Sequence, residues 1–132
     1  MDTDYQSNID MIVDLPGRIP DRLDEVGDRF LPEFQWHYFN KGIPEINKTY
    51  DGLEGLKTFF ADLGRITGGT FSVKAKTAYA IGSELVVVHA IPSMTIDGMK
   101  LETDAAVVWR IVDGKIAEAW DIPGLNSAIR PL

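Results

Sequence analysis

The stretch AAVVWRIVDGKIAEAWDIPG, residues 105–124, decides the fold. Ala105, Val107 and Trp109 recur at a period of two, as one face of a strand does. Asp113-Gly114 is a two-residue hairpin signal, and the chain returns through Ile116, Trp120 and Ile122 to the breaker Pro123-Gly124. Upstream, Asp97-Gly98 is a second hairpin signal, which makes 101–111 one strand. Its partner is Leu85-Val86-Val87-Val88-His89-Ala90-Ile91, a run without polar alternation. Such a strand is covered on both faces or offers its second face to another subunit. Gly82-Ser83 turns into it from a half-buried strand in which Phe71, Val73, Ala75, Thr77 and Tyr79 alternate with Ser72, Lys74 and Lys76. The C-terminal half is therefore expected to be a four-stranded antiparallel meander.

The N-terminal half changes period. Leu53, Leu56, Phe60 and Leu63 share one helical face, flanked by Phe59 and Ile66, with Asp51 placed to cap the start and Gly68-Gly69 to end it. Before it, Phe34-Gln35-Trp36-His37-Tyr38-Phe39 reads as a short aromatic strand. Two short helices are expected earlier still. One carries Ile9, Ile12 and Val13 and stops at Pro16-Gly17; the other carries Leu23, Val26 and Phe30 and closes at Pro32. Helices segregated to one side of an antiparallel sheet make an α+β fold, not a doubly wound one. A long antiparallel sheet curled around a helix leaves a cone whose lining comes from alternate strand residues.

Composition narrows the chemistry. The 132 residues hold 13 Lys plus Arg against 20 Asp plus Glu, a net charge of −7, which disfavours binding to nucleic acid or to anionic membranes. There is no cysteine, so disulfides, thiolate nucleophiles and Cys-based metal centres are excluded. No stretch is apolar for long enough to span a membrane as a helix, and the acidic N-terminus does not read as a secretory signal, so a cytoplasmic protein is expected. Phosphate loops, dinucleotide fingerprints and G-x-S-x-G elbows are absent, and His37 and His89 lack metal-ligand spacing. Neither a cofactor nor a metal is expected.

Single polar residues within apolar strands remain. Asp121 follows Trp120 in a strand whose small neighbours are Ala117 and Ala119. Inside an apolar cone its ionised form would be disfavoured and its pKa raised towards a range useful for proton transfer; at the strand's end it would be an ordinary solvated acid. His89 closes the most apolar run, either as a hydrogen-bonded structural histidine or as an acid–base partner. Asp104, among Thr103, Ala105 and Ala106, reads as solvent-facing. Trp36 and Tyr38 share one face of their strand, with Gln35 and His37 on the other, and they read as core or pocket wall. The Tyr38 phenol could donate to a developing oxyanion. Tyr50 is expected at the pocket mouth and Trp109 in its wall.

Three signatures in order carry a resemblance. They are Tyr50-Asp51-Gly52 leading into 56–60, Thr67-Gly68-Gly69-Thr70-Phe71, and Val108-Trp109-Arg110-Ile111-Val112-Asp113-Gly114-Lys115-Ile116 continuing through Glu118, Trp120 and Asp121. Together they resemble the nuclear transport factor 2-like superfamily, and within it the polyketide-cyclase-like (SnoaL-like) proteins. The resemblance implies a cystatin-like α+β fold: a cone-shaped, curved antiparallel sheet packed against N-terminal helices and one long helix. It implies one domain over 1–132, with its core at about 23–123 and a C-terminal tail at 124–132. The superfamily contains polyketide cyclases, ketosteroid isomerases, limonene-epoxide hydrolases, scytalone dehydratase and non-enzymatic binding proteins. Asp121 falls where cyclases and epoxide hydrolases place a catalytic acid or base, and His89 where some SnoaL-like proteins carry a histidine. Tyr38 lies near the isomerase's base and is no base, and Val107 takes the place of that enzyme's oxyanion-stabilising acid. The hydrolase's Arg–Asp pair has no evident match.

The expectation is a cofactor-independent cyclase or isomerase for a small apolar carbonyl compound. Asp121 and His89 would be catalytic, and Trp36, Tyr38, Tyr50 and Trp109 would bind substrate. A non-catalytic binding or dimeric scaffold protein is the first alternative, and an epoxide hydrolase or dehydratase the second. A homodimer through the sheet is expected to cover the 85–91 strand.

Overall fold

Asp113 and Gly114 adopt φ values of 51° and 77°, and Asp97 and Gly98 adopt 53° and 76°, the paired left-handed conformations of a turn whose twist matches that of its strands. Both hairpins expected from the sequence therefore form. The computed structural model describes residues 2–124, so the tail beyond Gly124 lies outside the described residues. The elements are α1 (Asp2–Val13), 3-10 turns at Leu15–Arg18 and Leu23–Arg29, β1 (Phe30–Tyr38), a 3-10 turn at Pro44–Ile46, β2 (Thr49–Asp51) and α2 (Gly52–Thr67). They continue with β3 (Ser72–Ile81), β4 (Leu85–Ile96), β5 (Met99–Glu102), β6 (Ala105–Val112) and β7 (Lys115–Pro123).

The strands form one curved sheet in the order β2-β1-β7-β6-β4-β3. All neighbours are antiparallel except β1 and β7, which run parallel. The first half of β4 pairs with β6 and its far end, Ser93 to Ile96, pairs with β5. The α+β class with segregated helices is thus as expected. Along α2, Leu56, Phe59 and Leu63 are almost wholly buried against the inner face of the sheet. Each such side chain contributes about 1.5–3 kcal/mol through burial.

Several local expectations are corrected. The second N-terminal helix is instead two 3-10 turns, and Val26 leaves helical geometry at φ −124°. Leu23, Val26 and Phe30 are buried as their spacing indicates, but Gly27 disfavours a helix, and the three-residue step from Leu23 to Val26 suits a tighter turn. Phe30 already begins β1, so Pro32 lies in a strand instead of closing a helix. Thr49–Asp51, just ahead of the expected helix, is a short strand paired to β1. The strand expected over 101–111 breaks at Thr103-Asp104 into β5 and β6. Asp51 occupies the N-cap of α2 without a side-chain capping bond, because its carboxylate accepts a hydrogen bond from Gln35 Nε2 at 3.0 Å.

Candidate active site

Strand registers place the site. Ala78, Val88, Val107, Asp121 and Tyr38 are successive partners across β3, β4, β6, β7 and β1, so they form one row on the sheet's inner face. Beside it runs Ala80, Val86, Trp109, Ala119 and Trp36. The β4–β6–β7 registers together with the parallel pairing of β1 on β7 therefore bring an acid, a phenol and two indoles onto one concave surface facing α2.

Asp121 reaches this face through an irregularity in β7. Ile111 pairs with Ile116 but Arg110 pairs with Glu118, leaving Ala117 as an extra residue. Strict alternation from the inward Ile116 would turn Trp120 inward and Asp121 out. The extra residue reverses the parity, so Ala119 and Asp121 face in while Glu118 and Trp120 face out. Ala117 is consequently not the same-face neighbour of Asp121 that simple alternation makes it.

The inner face and α2 enclose a cavity with about 70 Å³ open to the centre of a water molecule. Its walls are apolar, with Phe59, Phe60, Val88, Val107 and Trp109 among them, and among the described residues Asp121 alone supplies a carboxyl. Val13, Pro16 and Ala75 belong both to this lining and to a shallow depression on the surface, which marks the cavity's mouth between the end of α1 and β3. No Lys, Arg or His lies among the described lining residues.

Burial alone, without a paired charge, pushes the Asp121 carboxyl from an ordinary 3.8 up to about 7. By area the residue is only half-buried, because it borders the open space of the cavity, yet protein surrounds its carboxyl. Burial also pushes the Tyr38 phenol up to about 12, the hydrogen bond from Asn40 opposes that shift, and the charge of Asp121 adds to it. Tyr38 Oη accepts from Asn40 Nδ2 at 2.9 Å, which leaves the phenolic proton to be donated. An acid that titrates near neutrality and a phenol that stays protonated thus share one row. Asn40 was missed in the sequence; its position two residues after Tyr38, at the strand's end, was the available signal.

The other expected site residues are dispersed. Trp36 and Trp109 line the cavity with their ring centroids 5.5 Å apart. His89 lies on the outer face, opposite Ala106, where Nε2 meets Asp104 Oδ1 at 2.6 Å. The structure therefore does not bring it to Asp121, and Asp104 is held in this pair instead of pointing freely to solvent. Tyr50 is buried against Phe59 and donates its hydroxyl to Ile46 O at 3.0 Å; it is not part of the cavity lining or its mouth. Among the described residues no three His, Asp or Glu side chains gather as a metal site, and no helix is long and apolar enough to cross a membrane.

No family model matches the chain, and no curated protein matches it in sequence. Solved structures do match. TerC, co-crystallised with polyporic acid, aligns over 89% of this chain and 92% of its own, with a TM-score of 0.76 and 24% identity. A nuclear transport factor 2-like protein of unknown function from Burkholderia pseudomallei aligns over 89% and 91%, with a TM-score of 0.77 and 16% identity. A protein from Jannaschia sp. CCS1, named as a SnoaL-like polyketide cyclase, aligns over 90% and 86%, with a TM-score of 0.73 and 15% identity. The chain has the cystatin-like, nuclear transport factor 2-like fold, and the resemblance read in its sequence is borne out at that level.

Proposed function

We propose that this protein is a cofactor-independent acid–base catalyst, of isomerase or cyclase type, for a small apolar carbonyl compound. The observation that carries the reading is the Asp121 carboxyl, alone of its kind among the described residues that line an apolar cavity and pushed by burial up to about 7. The Asp121 carboxylate removes a proton from the carbon beside the substrate carbonyl. Tyr38 donates to the oxygen as it gains charge. The protonated Asp121 then returns the proton to a different carbon, which isomerises the substrate. Alternatively the new enolate carbon attacks a second carbonyl of the same molecule, and Asp121 protonates the resulting alkoxide, which closes a ring. The names of the neighbouring polyketide cyclases support this reading. No arginine lies among the described residues that line the cavity, which favours it over an epoxide hydrolase.

Exchange of the protons beside the carbonyl of 1-indanone into deuterated water tests the first step without knowledge of the natural substrate. The protein is expected to accelerate exchange, and Asp121→Asn to lower that acceleration by about 10²–10⁴-fold. Unchanged exchange in the variant would favour the non-catalytic binding protein instead. A cytoplasmic setting is part of the proposal and fits the cysteine-free composition.

We also propose that a second copy of the chain covers the outer face of the sheet. Tyr79, Val87, Val108 and Trp120 form one apolar row across four strands there, and Ile81 and Ile122 flank it, about half exposed.

A further inference from the structure

We infer that the ligand carries an anionic end group, which Lys76 holds at the cavity mouth while the carbonyl lies at Asp121. This rests on the reading of the cavity as a ligand site and adds a charge to the class of ligand. The depression at the mouth shares Val13, Pro16 and Ala75 with the cavity, and Lys74 and Lys76 also line it. No carboxylate of the described residues lines it. Ala75 pairs with Ala90 and Thr77 with His89, which leaves Lys76 as an extra residue in β3. Such a bulge interrupts the alternation of side chains and re-aims one at the edge of a site. Here it sets an exposed ammonium beside Ala75, the residue at which the cavity opens.

This cation stands against the charge of the whole chain, which is −7. Among the described residues neither Lys74 nor Lys76 is taken up in an ion pair or a hydrogen bond. The acids at the end of α1 do not cancel them. Asp10 and Asp14 line a separate depression together with Arg18 and Arg29, and Asp14 meets those two guanidiniums at 2.7 and 2.9 Å. A net-negative surface repels anions, and a locally positive opening draws them to that one place. The interior holds no cation among its described lining residues, and its Asp121 carboxylate repels an anion. The two regions therefore suit the two ends of one molecule, an apolar body with its carbonyl inside and a hydrated anionic group at the mouth. β3 and β7 are three strand spacings apart, roughly 14 Å at about 4.8 Å each, a span that the ligand and the lysine side chain share.

The test sets 8-oxononanoate, a methyl ketone with a carboxylate at its far end, against its uncharged methyl ester. Dissociation constants are read at pH 7 from the fluorescence of Trp36 and Trp109, which line the cavity. The wild type is expected to prefer the acid by about fivefold, the upper range for an exposed ion pair, and to lose that preference in about 1 M salt. Lys76→Gln should remove the preference and Lys76→Glu reverse it, whereas Lys100→Gln, on β5, should keep it. Equal affinities in the wild type, a preference that survives Lys76→Glu, or no binding of either compound overturns the inference. Lysines that serve only to keep an edge strand from pairing with another chain leave the affinities equal. The salt dependence needs no variant, so it decides the matter should a variant not fold. Exchange of the 1-indanone protons separates this claim from the catalytic one. Equal affinities, with exchange lowered in Asp121→Asn, remove the anionic end group and leave the catalyst standing. A preference for the acid, with exchange unchanged in Asp121→Asn, does the reverse.

Discussion

Burial of the Asp121 carboxyl destabilises the native protein at and above neutral pH. Its folded pKa, about 7, lies above the unfolded value near 3.8, so between those two pH values the folded state holds more protons than the unfolded one. Stability is unaffected below pH 3.8, declines as the pH rises towards 7, and carries the full cost above it. Three units correspond to roughly 4 kcal/mol at most. Asp121→Asn is therefore expected to raise the midpoint of urea denaturation at pH 8 and to change it little at pH 4. The same titration predicts the pH profile. Proton abstraction needs the carboxylate, so kcat/KM for exchange should fall below about pH 7. Tyr38→Phe should cost about 10²–10³-fold in kcat, as loss of one oxyanion donor does, with a far smaller change in KM.

At the scale of an element, the extra residue in β7 decides which side chains meet. Deleting Ala117 would restore regular pairing while leaving Ala119 and Asp121 facing inward, so that variant should fold cooperatively and lose no more than about 3 kcal/mol. Deleting Ala119 would swing Trp120 into the core and Asp121 out of it, and should abolish cooperative unfolding. Circular dichroism melts of the two variants check this. Here too lies the limit of what the sequence discloses. The hairpins were legible because Asp-Gly pairs need left-handed backbone, and α2 because its apolar face is wide. Asp121 stood out as an acid in an apolar strand. The direction in which it points was not legible, since parity along a strand depends on the partner's register. His89 and Tyr50 were misplaced for a related reason: apolar neighbours do not reveal which face of a strand a polar group takes, or whether a nearby backbone carbonyl satisfies it.

At the scale of the molecule, the sheet has two differently used faces. The inner rows converge on the cavity, and the outer row from Tyr79 to Trp120 continues into His37, whose Nε2 meets Glu118 at 2.5 Å and whose ring stacks on Trp120. If a second copy covers this face, sedimentation at micromolar concentration should give twice the chain mass. Val87→Glu should then halve it without altering proton exchange, because Val87 lies on the opposite side of the sheet from the cavity row.

The parallel union of β1 and β7 has a consequence for the order of events during synthesis. The contact between His37 and Glu118 spans 81 positions, and Tyr38 meets Asp121 through the same strand pair. Closing so long a loop comes late, after the local hairpins of β3 to β6 can have formed. A chain still emerging from the ribosome therefore lacks the proposed site, and Asp121 and Tyr38 become neighbours only when the last strand docks beside the first.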